Sequence, residues 1–243
     1  MLILAVDTTS AAGGAAIYRE GQCLASVDNE GPANIYSTTL FQMIDRLIAE
    51  VSAATSPPLR ALAEIELFAV ANGPGSFTGI RVGLAAVQAW AKVFGRPARG
   101  VSVLEALVEA ARPETEIAVP VLDAHRGEFY FAAFRRTTSL EDPRFVAEGE
   151  GRVARPETVK EFIATWLGTG QGATCLVREH DQAARALVAT LGASLRWRSV
   201  RGTLLPAIAR LGYRAAREGT LPSPSELDAY YIRRSDAELK WKE

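Results

Sequence analysis

The sequence predicts an α/β protein of two similar lobes, and three observations predict it. Apolar strand-like runs alternate with segments whose apolar residues recur at helical spacing. The alternation breaks at Arg112-Pro113-Glu114-Thr115-Glu116, the best linker candidate, and then restarts. On each side of that linker an apolar strand closes on Asp, followed by a glycine-bearing turn and a second apolar strand. The two copies, Ala5-Val6-Asp7 and Val121-Leu122-Asp123, lie 116 residues apart. Strand–Asp–turn–strand is common in α/β proteins, and it is also what a duplicated fold would show.

The elements follow in order. Leu2 to Val6 reads as a fully buried strand. Gly14 to Tyr18 and Gln22 to Val27 read as a hairpin around Arg19-Glu20-Gly21. Asn34 to Val51 is helical, with Leu40, Met43, Ile44, Leu47, Ile48 and Val51 at helical spacing, and Thr55-Ser56-Pro57-Pro58 breaks it. Glu66 to Ala71 is a strand, and the turn Asn72 to Gly79 opens a helix to about Phe94. Ala98 to Val101 is a short strand, and Ser102-Val103-Leu104-Glu105 starts a helix to about Ala111. After the linker, Ile117 to Leu122 and Glu128 to Phe134 are strands, and Thr137 to Gly151 is polar and irregular. Pro156 to Leu167, Asp181 to Leu191 and Leu204 to Arg217 are helices, and Tyr230 to Glu243 is a mixed tail.

Composition narrows the function classes. The 243 residues are 48 % hydrophobic and 23 % charged, with a formal net charge of −1, which excludes wholesale disorder. Near-neutrality argues against a chain that holds nucleic acid mainly through its own phosphate contacts. Arg196 to Arg201 reads as a solvated basic stretch, with RNA contact inside an assembly as the alternative. Cys23 and Cys175 lack metal-ligand spacing and are expected as small core residues of a reduced, cytoplasmic chain. Neither a signal segment nor a membrane span is expected.

Candidate sites each carry two readings. Asp7-Thr8-Thr9-Ser10 is either a phosphate- or metal-facing turn or a structural turn in which Asp and Thr satisfy local amides. Gly73-Pro74-Gly75-Ser76-Phe77-Thr78-Gly79 either presents helix N–H groups to an anion or permits close packing, and it lacks the Gly-Lys-Ser/Thr ending of a P-loop. Gly168-Thr169-Gly170-Gln171-Gly172 superficially resembles a nucleotide-contacting turn, with a plain helix–strand connection as the favoured reading. With only His125 and His180, no His pair is spaced for a metal; Asp123 and Glu128 could form a carboxylate pair. Trp90, Tyr36 and Met43 lie off the inward stripes of their helices, which points to a protein–protein surface.

Four ordered blocks carry a family resemblance: Leu4-Ala5-Val6-Asp7-Thr8-Thr9; Gly73 to Gly83; Ala118 to Tyr130 with its Asp-Ala-x-x-Gly-Glu; and Tyr231-Ile232-Arg233-Arg234-Ser235-Asp236-Ala237-Glu238. Together they resemble the TsaB (YeaZ) family of tRNA threonylcarbamoyladenosine biosynthesis, and the match spans nearly the whole chain. The resemblance implies an actin-like, sugar-kinase-like fold of two duplicated lobes. It implies a non-catalytic subunit that binds and activates TsaD, the metal-bearing subunit that modifies the adenosine beside the anticodon of ANN-decoding tRNA. It also implies the small ATPase TsaE as a partner, tRNA contact only through the complex, and a homodimer when TsaD is absent. No intrinsic cofactor is implied, and ATP or ADP is expected only in the assembled complex. The catalytic relative's His-x-x-x-His is absent here, and Tyr36 stands where many family members keep one His.

The implied pairing surface lies on the two N-lobe helices. Tyr36, Leu40, Met43, Ile80, Leu84 and Val87 are expected to supply apolar contact, Gly75, Gly79 and Gly83 close approach, and Arg81 a rim contact. Asp7, Thr8 and Thr9 are expected to form a vestigial nucleotide-facing turn, and Leu84→Glu or Gly79→Trp to break the complex while sparing the fold. Expected lobes are 1–112 and 113–203, with 204–243 as a helix and tail packing back. The rival classes are a nucleotide-binding phosphotransferase or ATPase on the same fold, and a peptidase, which lacks a nucleophile and metal ligands here.

Overall fold

The computed structural model describes residues 1–31, 35–137, 144–167, 172–192 and 195–233. The chain forms two units, Met1–Ala106 with Gly202–Tyr230, and Leu107–Arg201 with Tyr231–Glu243.

The first unit is a sheet in the order β3-β2-β1-β4-β5. Its strands are β1 (Leu2–Asp7), β2 (Gly14–Arg19), β3 (Gln22–Asp28), β4 (Leu67–Gly73) and β5 (Ala98–Ser102). β1 is buried along its whole length, which is why its sequence is a continuous apolar run rather than an alternating one. It pairs antiparallel with β2 and parallel with β4, and β4 pairs parallel with β5. Parallel neighbours need crossovers, supplied by α1 (Tyr36–Ala54) and α2 (Phe77–Phe94). These helices share one core with Leu2, Leu4, Val6, Phe68 and Val70 on one face of the sheet. Packed on β1, β4 and β5 is α6 (Leu205–Glu218), where Gly212 allows close approach because a Cβ there would stand 2.9 Å from that of Ala69. The segment after α6 returns to the end of β4: Tyr230 N donates to Asn72 O (2.8 Å), and Asn72 Nδ2 to Asp228 O (3.0 Å).

The second unit repeats the pattern. β6 (Ile117–Asp123) pairs antiparallel with β7 (Phe129–Phe131) and parallel with β11 (Ala173–Arg178). β7 pairs with β10 (Arg152–Ala154), and β11 pairs parallel with β12 (Arg196–Val200). The order β10-β7-β6-β11-β12 thus matches β3-β2-β1-β4-β5 in sequence and sense, with Asp123 ending β6 as Asp7 ends β1. The expected strand 128–134 is split: β8 (Phe134–Arg136) continues along β6 after Ala132-Ala133, and β9 (Phe145–Ala147) pairs with it. α4 (Pro156–Leu167), packed on β7, and α5 (Gln182–Ala189), packed on β6 and β11, bury Val159, Ile163, Ala184, Leu187 and Val188 in the core of this unit. α3 (Val103–Ala111) carries the division between units at Ala106 and Leu107, ahead of the expected linker, and α6 belongs with the first unit.

Cys175 is buried, but Cys23 is exposed, a correction: it lies on β3, the end strand of its sheet, whose side chains are mostly at the surface. Most of the expected turn at 168–172 and of the tail motif from Arg234 lie outside the described residues, as does Asn34 at the expected helix start. Among the described residues no helix is long and apolar enough to cross a membrane.

Candidate functional site

The structure brings the first two motifs together. Asp7, Thr8 and Thr9 are all buried. Thr9 donates to Asp7 Oδ1 from its backbone N (2.9 Å) and its hydroxyl (2.6 Å). Thr8 Oγ1 donates to Gly79 O at 2.7 Å, and Ser76 N donates to Thr9 O at 2.7 Å. The glycines explain how backbone can come so near. A Cβ at Gly79 would stand 1.9 Å from Thr8 O, one at Gly75 2.6 Å from Thr9 O, and one at Gly83 2.4 Å from Thr8 Oγ1. The Gly73–Gly79 block is therefore a seat for the Asp7 turn, and of its two readings close packing holds. The glycines serve an approach within the chain, which corrects their expected role toward a partner.

Ser76 caps α2 by accepting from Gly79 N at 3.2 Å, which satisfies one N–H of the helix start. Asp7 Oδ2 is buried with no hydrogen-bond partner. Near it, the Tyr36 hydroxyl donates to Ser10 O at 3.0 Å. Burial, and then the Asp7 carboxylate, push the Tyr36 hydroxyl well above its ordinary pKa, so it stays protonated.

The expected apolar contacts are placed elsewhere than expected. Tyr36, Leu40, Met43, Ile80, Leu84 and Val87 all lie in the core of the first unit, as does Trp90. Their helical spacing marks the face that packs on the sheet, so none of them offers apolar surface to a partner. Leu84→Glu and Gly79→Trp accordingly strike the fold itself, which corrects their use as interface probes. The opposite side of α2 exposes Phe77, Thr78, Arg81, Ala85, Ala89, Lys92 and Val93. Only two of these are charged. Phe77 is stacked by the Arg81 guanidinium at 3.7 Å, and Val93 is 75 % exposed. From α1, Phe41 is 57 % exposed and meets the Trp90 ring edge-on at 5.9 Å. Phe41, Ala85, Ala89 and Val93 went unnoticed in the sequence, where Phe77 stood out only as part of the glycine block. The available signal was the i, i+4 series from Phe77 through Arg81 and Ala85 to Ala89, set opposite the buried stripe.

In the second unit, Asp123 Oδ1 accepts from His125 N at 2.7 Å, and Oδ2 lies 3.2 Å from His125 Nδ1. Glu128 instead pairs with Arg233 at 3.3 Å, so Asp123 and Glu128 form no carboxylate pair. Asp181 caps α5 and accepts from Asp123 N at 2.8 Å. These acids hold a hairpin turn and a helix start. Among the described residues no group of three or more His, Cys, Asp and Glu could hold a metal ion.

Comparison with known proteins adds similar sequences and structures. The model described as TsaD, tRNA N6-adenosine threonylcarbamoyltransferase, matches residues 34–150. An uncharacterized Mycobacterium leprae protein is 29 % identical over 58 % of this chain, a match spanning 38 % of that protein's own length. The tRNA threonylcarbamoyladenosine biosynthesis protein TsaB of Escherichia coli is 28 % identical over 71 % of this chain and 72 % of its own. TsaB of Bacillus subtilis is 29 % identical over 58 % of each chain. YeaZ from Pseudomonas aeruginosa shares the fold, with a TM-score of 0.73 at 22 % identity over 95 % of this chain and 100 % of that one. The fold is accordingly the α/β fold of those YeaZ structures, with one strand order repeated in two sheets. In sequence and in fold, the chain is thus similar to the TsaB (YeaZ) proteins.

Proposed function

We propose that the chain takes part in forming threonylcarbamoyladenosine in tRNA as a non-catalytic subunit, docking a TsaD-like catalytic partner on the outer face of α1 and α2. The relatives named for that biosynthesis support the pathway, and the match of a TsaD model to residues 34–150 supports the kinship of the two subunits. The observation that carries the docking role is the apolar outer face built from Phe41, Phe77, Ala85, Ala89 and Val93. Beneath it, the Asp7 turn is filled by the chain's own helix, which leaves that motif a packing role. A TsaE-like ATPase joins the same assembly, and any ATP or ADP is held by the assembly rather than by this chain. The reaction is placed in the cytoplasm. Without the catalytic partner, two copies pair through the same face about a two-fold axis.

Interface energy concentrates in a few anchors, so one or two changes suffice to break it. The Phe41→Asp, Val93→Asp double variant should lose co-elution with the TsaD-like subunit while its circular dichroism is unchanged. Undiminished co-elution of a folded double variant refutes the assignment of this face.

A further inference from the structure

The second unit carries a surface that docking through α1 and α2 does not use. β12 is the last strand on its sheet path, paired through Thr174↔Arg196, Cys175↔Trp197 and Leu176↔Arg198 with β11. Arg196, Trp197 and Arg198 are exposed there, and the Trp197 indole retains 41 % of its surface. Charge on an outer strand discourages sheet extension and accounts for arginines alone. It does not account for an indole between them. Alternation along the strand sets Trp197 on one side of the edge and Arg196 and Arg198 on the other.

The charge around this edge is one-sided. Residues 173–201 hold five arginines, of which Arg178 is buried on β11, against Glu179 and Asp181, in a chain whose net charge is −1. Asp181 is engaged as the α5 cap and by Asp123 N. Glu179 pairs with Arg201 at 2.9 Å. Arg198 Nη1 donates to Ala111 O at 2.9 Å, a contact that orients the guanidinium and leaves its charge uncancelled. A positive edge with an accessible aromatic plane is the composition of a stacking platform for single-stranded nucleic acid. Duplex RNA keeps its bases stacked away from such a plane, whereas loops present unpaired ones.

We propose that the β12 edge binds unpaired RNA directly, with Trp197 stacking on a base and Arg196 and Arg198 taking neighbouring phosphates. The proposal rests on the tRNA reading above, for which it supplies a contact of this chain's own. The test is fluorescence anisotropy of the full chain with a labelled unmodified tRNA transcript and with a labelled blunt RNA duplex, over a salt series. The wild type should bind the tRNA and prefer it to the duplex. Trp197→Ala should weaken tRNA binding about tenfold, and Trp197→Phe should restore most of it. Arg196→Ala should lower the slope of log affinity against log salt by about 0.7. No tRNA binding by the wild type, no preference over the duplex, or equal binding by folded Trp197→Ala overturns the proposal. Reconstituted tRNA modification is read in parallel. If the wild type supports modification but shows no Trp197-dependent binding, this proposal fails and the subunit reading stands. If modification proceeds fully without the chain, the subunit reading fails.

Discussion

Replacing Gly79 by Ala adds one methyl group at the tightest point of the first unit. The new Cβ would meet Thr8 O at 1.9 Å, about 1 Å short of the 3.0 Å floor for real Cβ contacts. Thr8 O is backbone at the end of a fully buried strand, so it cannot swing away as a flexible side-chain tip could. The start of α2 must move instead, stretching the Thr8–Gly79 and Ser76–Thr9 hydrogen bonds. Overpacking of this kind costs about 1–3 kcal/mol. The two hydrogen bonds put a further ~0.5–1.5 kcal/mol each at stake. Against that, Ala gains about 1 kcal/mol over Gly in a helix. The sum is a net loss of about 3 kcal/mol, which lowers the melting temperature by about 10 °C. Calorimetry and urea denaturation followed by far-ultraviolet circular dichroism measure it. A Gly79→Ala protein as stable as the wild type, or stabilised by helix propensity alone, refutes the idea that the glycine block seats the Asp7 turn.

Two further outcomes follow from buried groups. Burial raises the hydroxyls of Tyr18, Tyr36 and Tyr130 above their ordinary value. An acid raised on folding leaves stability intact below its unfolded pKa, about 10 for Tyr, and removes it as pH climbs toward the folded value. Stability should therefore fall above pH ~10, and Tyr36→Phe should cost about 1 kcal/mol at neutral pH yet make that fall shallower. An equally steep fall in the variant contradicts the assignment. The thiols should divide as their burial does: burial pushes Cys175 up to about 12, while Cys23 is exposed. Native protein should then label at one cysteine with a thiol reagent and denatured protein at two, with Cys23→Ser silencing the native signal; two fast native thiols contradict it.

Several features were legible because they are local. The buried strand ending in Asp7, its counterpart ending in Asp123 and the duplicated lobe all follow from contiguous apolar runs, and the two sheets repeat one strand order. The glycine block was legible as an alternative between anion contact and close packing; only geometry, with Thr8 O against Gly79, decides it. The inward faces of α1 and α2 were misread as partner surface because a helical stripe reveals that a face is buried and not by what. Ile80, Leu84 and Val87 face the sheet, while Ala85 and Ala89, too small to register as apolar signal, line the outside with Phe77. The return of α6 to the first unit depends on contacts far apart in sequence, such as Gly212 against Ala69. β9 and β10 are three-residue strands in a polar stretch, too short for a period to emerge.

The central claim is that this chain makes a separate catalytic subunit competent, and reconstituted tRNA modification tests it most directly. Threonylcarbamoyladenosine formation is measured with the TsaD-like and TsaE-like subunits, with this chain present, absent, or carrying Phe41→Asp and Val93→Asp. The account predicts product with the wild-type chain and a loss of most of the rate both without it and with the folded double variant. Full-rate product in the absence of the chain contradicts it.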